Sequence, residues 1–143
     1  MNVLIVSPYY YPYVSGMTVY AKNLAEGLAK KGHEVCVITT QYEKKLKLKE
    51  TINKINKINI IRVPVAFKFG RGAFSPSFVS NFSRIVDSFD VVNIHAPIFE
   101  AGSLAEIAKK KGKNVIVTYH CDLDMKGVAS KIIERLYYSS VKN

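Results

Sequence analysis

Short apolar runs alternate along this chain with stretches whose apolar positions recur every three or four residues. The runs are Asn2–Val6, Glu34–Thr39, Ile58–Val63, Asp90–His95 and Asn114–Tyr119, rich in Val and Ile and bounded by polar residues, Gly or Pro. Such runs read as buried strands. Between them, Thr18–Lys31 has helical periodicity, with Tyr20, Leu24 and Leu28 at i, i+4 and i+8, and Gly32 follows as a stop. Helices are also predicted over Ser77–Ser88, over Glu100–Lys111 (closed by Gly112), and over Gly127–Val141, where Ile132, Ile133, Leu136 and Tyr137 cluster near one face. Two stretches give no clear periodicity. In Lys44–Lys57, Leu48, Ile52 and Ile55 have helical spacing, but Asn-Lys-Ile occurs twice and breaks the pattern. Phe67–Phe78 is irregular, with Gly70, Gly72 and Pro76, and Phe67, Phe69, Phe74 and Phe78 read as anchors of a loop.

Strands alternating with helices of this length imply an α/β fold with a doubly wound, parallel, Rossmann-like sheet. Right-handed crossovers place a helix layer on each side of it. The 143 residues make one domain, 1–143, with no visible repeat or linker. The last predicted element is a helix, after which a sixth strand is the expected next element.

Composition is that of an ordinary folded protein, 48% hydrophobic and 22% charged. No apolar run approaches the ~18 residues that cross a bilayer. The amino terminus has no basic start, and Pro8 and Pro12 interrupt it, so no signal peptide is read. Cys36 and Cys121 lie within or just after predicted strands and read as buried thiols, which suits a reducing cytoplasm. The net charge of +10 is unevenly spread. Residues 43–71 hold nine Lys/Arg (44, 45, 47, 49, 54, 57, 62, 68 and 71) against Glu43 and Glu50. Such a stretch is either a solvated loop or a surface for an anionic membrane or acceptor. No nucleic-acid motif accompanies it.

Chemistry concentrates where strands end. The first run feeds a loop, Ser7-Pro8-Tyr9-Tyr10-Tyr11-Pro12-Tyr13-Val14-Ser15-Gly16, and then a helix. The fourth ends in His95-Ala96-Pro97 and the fifth in Tyr119-His120-Cys121-Asp122. In parallel sheets, ligands bind outside the carboxyl ends of the strands, and a helix amino terminus there favours phosphate. Two histidines and an aspartate converging at that edge form a candidate site. His33, at a helix-to-strand turn on the opposite edge, reads as structural. The loop lacks G-x-G-x-x-G, no nucleophile elbow or paired-carboxylate spacing is present, and no metal-ligand spacing occurs.

Asn2–Tyr20 together with Gly32-His33-Glu34-Val35 resembles the opening of the GT-B fold glycosyltransferases of retaining family 4. The family pattern is a strand, a Ser/Pro/aromatic loop, a Gly-Gly pair, a helix, then R-G-H-E-V. Asp90-Val91-Val92-Asn93-Ile94-His95 is similar to the family's D-V-V-H-x-H strand, and Val117-Thr118-Tyr119-His120 to its V-x-T-x-H strand. The resemblance covers nearly the whole chain in order. It implies the amino-terminal, acceptor-side half of a two-domain enzyme. The donor half, with its E-x7-E motif, is absent from this chain and is supplied in cis or in trans. By the same resemblance, Ser15, Gly16 and Met17 approach the donor diphosphate, and His120 meets the transferred sugar. Tyr9, Tyr13, His95, Asp122 and Lys126 line the acceptor side. The pair position Ser15-Gly16 departs from the family's Gly-Gly.

These readings lead to a retaining transferase half acting on a nucleotide-diphospho-sugar, which is a substrate, with no cofactor and no metal. The acceptor is a glycan or a lipid-linked group, nucleic acid is not a partner, and the location is cytoplasmic, with a possible peripheral hold on an anionic membrane surface. The isolated chain is expected to be inactive. Two other readings stay open: a non-enzymatic nucleotide- or phospho-ligand-binding module, and a membrane-anchoring subunit of a two-chain transferase.

Overall fold

The computed structural model describes residues 1–41, 52–69 and 72–120. Its main sheet has six strands: β1 (Asn2–Val6), β2 (Glu34–Thr40), β3 (Ile52–Ile55), β4 (Ile58–Val63), β7 (Val91–Ala96) and β8 (Asn114–Tyr119). Between them come the small hairpin β5 (Phe67–Phe69) and β6 (Gly72–Phe74), and the helices α1 (Gly16–Lys30), α2 (Pro76–Ile85) and α3 (Ala101–Lys110). The strand order is β3-β4-β2-β1-β7-β8. All neighbours are parallel except β3, which runs antiparallel to β4. The α/β, Rossmann-like sheet expected from the alternation is therefore present, with one added antiparallel edge strand.

That edge strand is the main departure from the sequence reading. Ile52–Ile55 is a strand, paired Ile52↔Ile61 and Ile55↔Ile58. The two-residue turn Asn56-Lys57 has φ of 48° and 69°. Positive φ at both central residues matches the twist of a tight hairpin. Asn tolerates that region better than most residues, and Asn56 Nδ2 also donates to Glu26 Oε1 on α1 at 2.8 Å. The helical spacing of Ile52 and Ile55 is thus incidental. Residues 42–51, and with them the first part of the Lys44–Lys57 stretch, lie outside the described residues, as does the helix expected over Gly127–Val141.

The layers form as the apolar spacing dictates. On one face α1 packs against Val3, Ile5, Val35, Val37, Ile58 and Ile60. On the other, α2 and α3 pack against Leu4, Val6, Cys36, Ile38, Val92 and Ile94. Phe78, Phe82 and Val86 are spaced by four and fully buried. Phe78 is accordingly a core residue of α2, not a loop anchor. Pro76 at the start of α2 sits where a missing N–H costs nothing. Glu100 joins the starts of both helices. It is the N-cap residue of α3, and its Oε1 accepts from Ser75 N–H, just ahead of α2, at 3.3 Å. Burial raises the Glu100 carboxyl above its ordinary range.

Helix α1 begins two residues earlier than its periodicity suggests. Ser15 caps it reciprocally with Thr18: Ser15 Oγ accepts from Thr18 N–H at 3.3 Å, and Thr18 Oγ1 accepts from Ser15 N–H at 2.7 Å. Its buried positions are Thr18, Ala21 and Ala25. Small residues let the helix lie close on the sheet, with Leu24 and Leu28 packing beside them. Tyr20 is not on that face. It stands 49% exposed and turns toward the carboxyl edge.

Candidate functional site

Side chains alternate across a strand, so every second residue shares a face. On the α1 face, β4 presents Ile58, Ile60 and Arg62, β2 presents Val35, Val37 and Thr39, and β1 presents Val3 and Ile5, followed by Ser7. The register aligns these strands. Thr39 pairs with Arg62, and His95 with Thr118. Ser7 follows Val6, whose partners are Ile38 and Ile94. Arg62, Thr39, Ser7, His95 and Thr118 therefore form one polar row across five strands. It lies directly above an apolar row of Ile60, Val37, Ile5 and Ile116 broken only by Asn93. Ser7, Thr39, Arg62 and His95 are all buried. Among the described residues, Thr39 Oγ1, Arg62 Nε and Nη1, and His95 Nε2 are buried without a hydrogen-bond partner. Such orphans are uncommon in folded proteins and call for an explanation.

At one end of the row stand the two histidines. His95 Nδ1 and His120 Nε2 are 2.9 Å apart. The ring centroids lie 5.0 Å apart with planes inclined at 25°. Tyr20 closes over both, its ring centroid 5.8 Å from that of His95 and 5.2 Å from that of His120, edge-on to the latter. His95 is fully buried, and burial, helped by His120, holds its pKa down to about 4. Desolvation also lowers His120, which keeps part of its ring exposed. Both rings are thus neutral near pH 7. Asn93 supports the next strand position, its Oδ1 accepting from Thr118 Oγ1 at 2.9 Å.

At the other end, Arg62 Nη2 donates to the Tyr11 carbonyl at 2.6 Å and so fastens the loop between β1 and α1. Arg62 is 2% exposed. Arg62 is part of the basic stretch 43–71 in sequence but not of its surface, because its place after Ile58 and Ile60 carries it to the buried face. Lys54 and Lys57 of that stretch are exposed. Tyr10 is buried beside Arg62, and desolvation, reinforced by Glu26, pushes its phenol up to about 12. Thr40 Oγ1 donates to the Pro8 carbonyl at 2.6 Å and Ser7 Oγ to the Tyr9 carbonyl at 2.7 Å, completing the hold on the loop.

The fold thus brings together His95 and His120, as the strand ends indicated, and adds Tyr20 and Arg62, which the sequence reading did not place there. Tyr9 and Tyr13 pack on each other in the loop, centroids 5.2 Å apart. Ser15 serves as the cap of α1, a role that the family's glycine at that position lacks the side chain to fill. Gly16 and Met17 form the first turn, and among the described residues no hydrogen bond is made to their N–H groups. A Cβ at Gly16 would meet nothing within 4 Å, and its φ is not in the left-handed region. The fold itself does not require glycine there. Asp122, Lys126 and Cys121 lie outside the described residues. Cys36 is buried, with its thiol pushed up to about 11. His33 is half-buried at the amino edge, as expected.

The sheet order and the helices on its two faces define a Rossmann-like α/β domain. The family model described as Glycosyltransferase Family 4 matches residues 14–142, and the chain belongs to that family. It is 32% identical to the alpha-monoglucosyldiacylglycerol synthase of Acholeplasma laidlawii over 149 aligned residues, 99% of this chain and 35% of that protein. It is 44% identical over 64 residues to an uncharacterized glycosyltransferase of Methanocaldococcus jannaschii, 44% of this chain and 15% of that protein. The chain spans about a third of the length of the first relative. Among solved structures, the alpha,alpha-trehalose 6-phosphate synthase of Burkholderia multivorans aligns over 99% of this chain and 37% of that one, with TM-score 0.46 and 8% identity. The fold class rests on the sheet itself. No helix among the described residues is long and apolar enough to cross a membrane.

Proposed function

We propose that this chain is the acceptor-side domain of a retaining glycosyltransferase that draws its sugar from a nucleotide-diphospho-sugar bound mainly by a second, donor-side domain. One observation carries the reading: the polar row at the carboxyl edge, with His95 and His120 under Tyr20 of the helix whose Gly16 and Met17 N–H groups have no partner among the described residues. In such a transfer the bond from the anomeric carbon to the diphosphate breaks, and a bond to an acceptor oxygen forms on the same face. The diphosphate departs with growing negative charge. Gly16 and Met17 N–H groups and the positive end of the α1 dipole suit that charge. His120 orients the sugar, Tyr9 and Tyr13 line the acceptor side, and catalysis is chiefly positioning and electrostatic support.

The acceptor is a lipid hydroxyl. Support comes from the Acholeplasma relative, whose name denotes a glucosyldiacylglycerol product, and from the basic stretch, suited to an anionic membrane surface. The test presents radiolabelled nucleotide-sugars and dispersed diacylglycerol lipids to the transferase assembled with its donor half, and to this chain alone. We expect label in the lipid phase, with the donor's anomeric configuration, from the assembled enzyme only. Turnover by this chain alone, or an inverted product, overturns the proposal.

A further inference from the structure

We infer that His95 is a positioning residue that holds His120 in its Nδ1–H tautomer, so that His120 meets its ligand as a hydrogen-bond donor and not as a base. The bond between His95 Nδ1 and His120 Nε2, 2.9 Å long, holds one proton. That proton belongs either to His95 Nδ1 or to His120 Nε2. The choice is made on the far side of His95, where Nε2 is buried and without a partner among the described residues. If His120 were the donor, neutral His95 would have to carry its proton on Nε2, as a buried N–H with nothing to bond. If His95 is the donor, Nε2 is only a bare lone pair. Orphaned buried N–H groups are rarer and costlier than unfilled acceptors. The proton therefore sits on His95 Nδ1, and His120 accepts it at Nε2.

A neutral imidazole carries one N–H, so His120 then has its proton on Nδ1. Burial lowers both rings' affinity for a second proton, which keeps this arrangement at neutral pH. With Nε2 occupied and Nδ1 protonated, His120 has no free lone pair in the ring plane. It is built to donate to an oxygen, such as a sugar hydroxyl or a phosphate oxygen, and Tyr20 packed edge-on limits the ring's rotation. The identity of that oxygen rests on the transferase reading above, whereas the tautomer does not.

Long-range nitrogen–proton correlation spectra of the histidine-labelled chain at pH 7.5 test this, with His33 as the internal reference. We expect the Nδ1–H pattern for both His95 and His120. An Nε2–H pattern at His120 overturns the inference. In His95→Phe, which removes the donor, His120 should shift to a largely Nε2–H mixture. In His95→Asn, whose amide nitrogen stands where the Nδ1 of His95 does and restores a donor, it should stay substantially Nδ1–H. Persistence of Nδ1–H at His120 in His95→Phe overturns the role of His95. If His95→Phe does not fold, the wild-type and His95→Asn spectra still decide: an Nε2–H pattern at His120 in either overturns the inference. Transfer by the assembled enzyme should fall about tenfold or more in kcat for His95→Phe and recover partly for His95→Asn. If the spectra agree but His120 variants transfer normally, the tautomer stands and the transferase reading of His120 fails.

Discussion

The two faces of the sheet end differently. Under α2 and α3, the strands stay apolar to their carboxyl ends, through Val6, Ile38, Val63, Ile94 and Ala96. Thr40 is the exception, and the Pro8 carbonyl satisfies it. Under α1, the same strands turn polar at the last step, into Ser7, Thr39, Arg62 and His95, and several of their atoms are without partners among the described residues. Buried unsatisfied polar groups cost free energy, and among the described strand residues that cost falls on the α1 face; on the other side it is confined to Glu100 Oε2, at the start of α3. One face holds the domain together. The other gives up some stability at its carboxyl edge, as expected of a ligand site.

The comparison breaks most visibly on the stable face. Phe82→Ala removes a fully buried ring from under α2 and should cost about 3–5 kcal/mol in denaturant unfolding. A loss under ~1 kcal/mol would mean that this face is not the domain's support.

The next effect is pH-dependent. In the folded state the His95 pKa is lowered, to about 4, from an ordinary 6.5. The unfolded chain therefore binds a proton in that interval that the folded chain refuses, so stability is complete above pH 6.5 and declines as pH falls toward 4. The loss is at most roughly 3 kcal/mol. His120 acts in the same sense, and Glu100, whose pKa is raised, in the opposite sense. Comparison with His95→Gln isolates the His95 part. Parallel stability curves for the two proteins between pH 6.5 and 4 would contradict the burial of a neutral His95.

Much of this was legible in the sequence. The apolar runs located all the parallel strands, and the strand ends located His95 and His120. What escaped was governed by neighbours. Tyr20 shares helical spacing with Leu24 and Leu28, yet the tight approach of α1 rests on Ala21 and Ala25, which leaves Tyr20 free for the histidines. Arg62 was masked by the lysines around it, although the alternation Ile58, Ile60, Arg62 carries the signal for its burial. The hairpin at Asn56-Lys57 lacks the glycine that usually marks such a turn. Ser15, where the family has glycine, could be read as a cap only once Thr18 was seen to answer it.

The smallest effects separate glycine kept for the fold from glycine kept for a ligand. Gly27 and Gly16 both lie in α1, and a Cβ at either would meet nothing within 4 Å. Gly27→Ala should stabilise the domain by roughly 0.5–1 kcal/mol and leave transfer unchanged. Gly16→Ala should alter stability by less than about 1 kcal/mol but weaken nucleotide-diphospho-sugar binding several-fold, measured by competition on the assembled enzyme. Equal affinity in the two variants would remove Gly16 from the donor site.

The most direct measurement is the turnover of His120→Ala in the assembled transferase, set beside its melting temperature and beside His33→Ala. Removing one electrostatic contact made chiefly in the transition state typically costs on the order of 10²–10³-fold. We expect kcat to fall at least about tenfold in His120→Ala with little change in Tm, and His33→Ala to change Tm while sparing kcat. A His120→Ala enzyme with near wild-type kcat would contradict the assignment of the polar carboxyl edge as the transfer site.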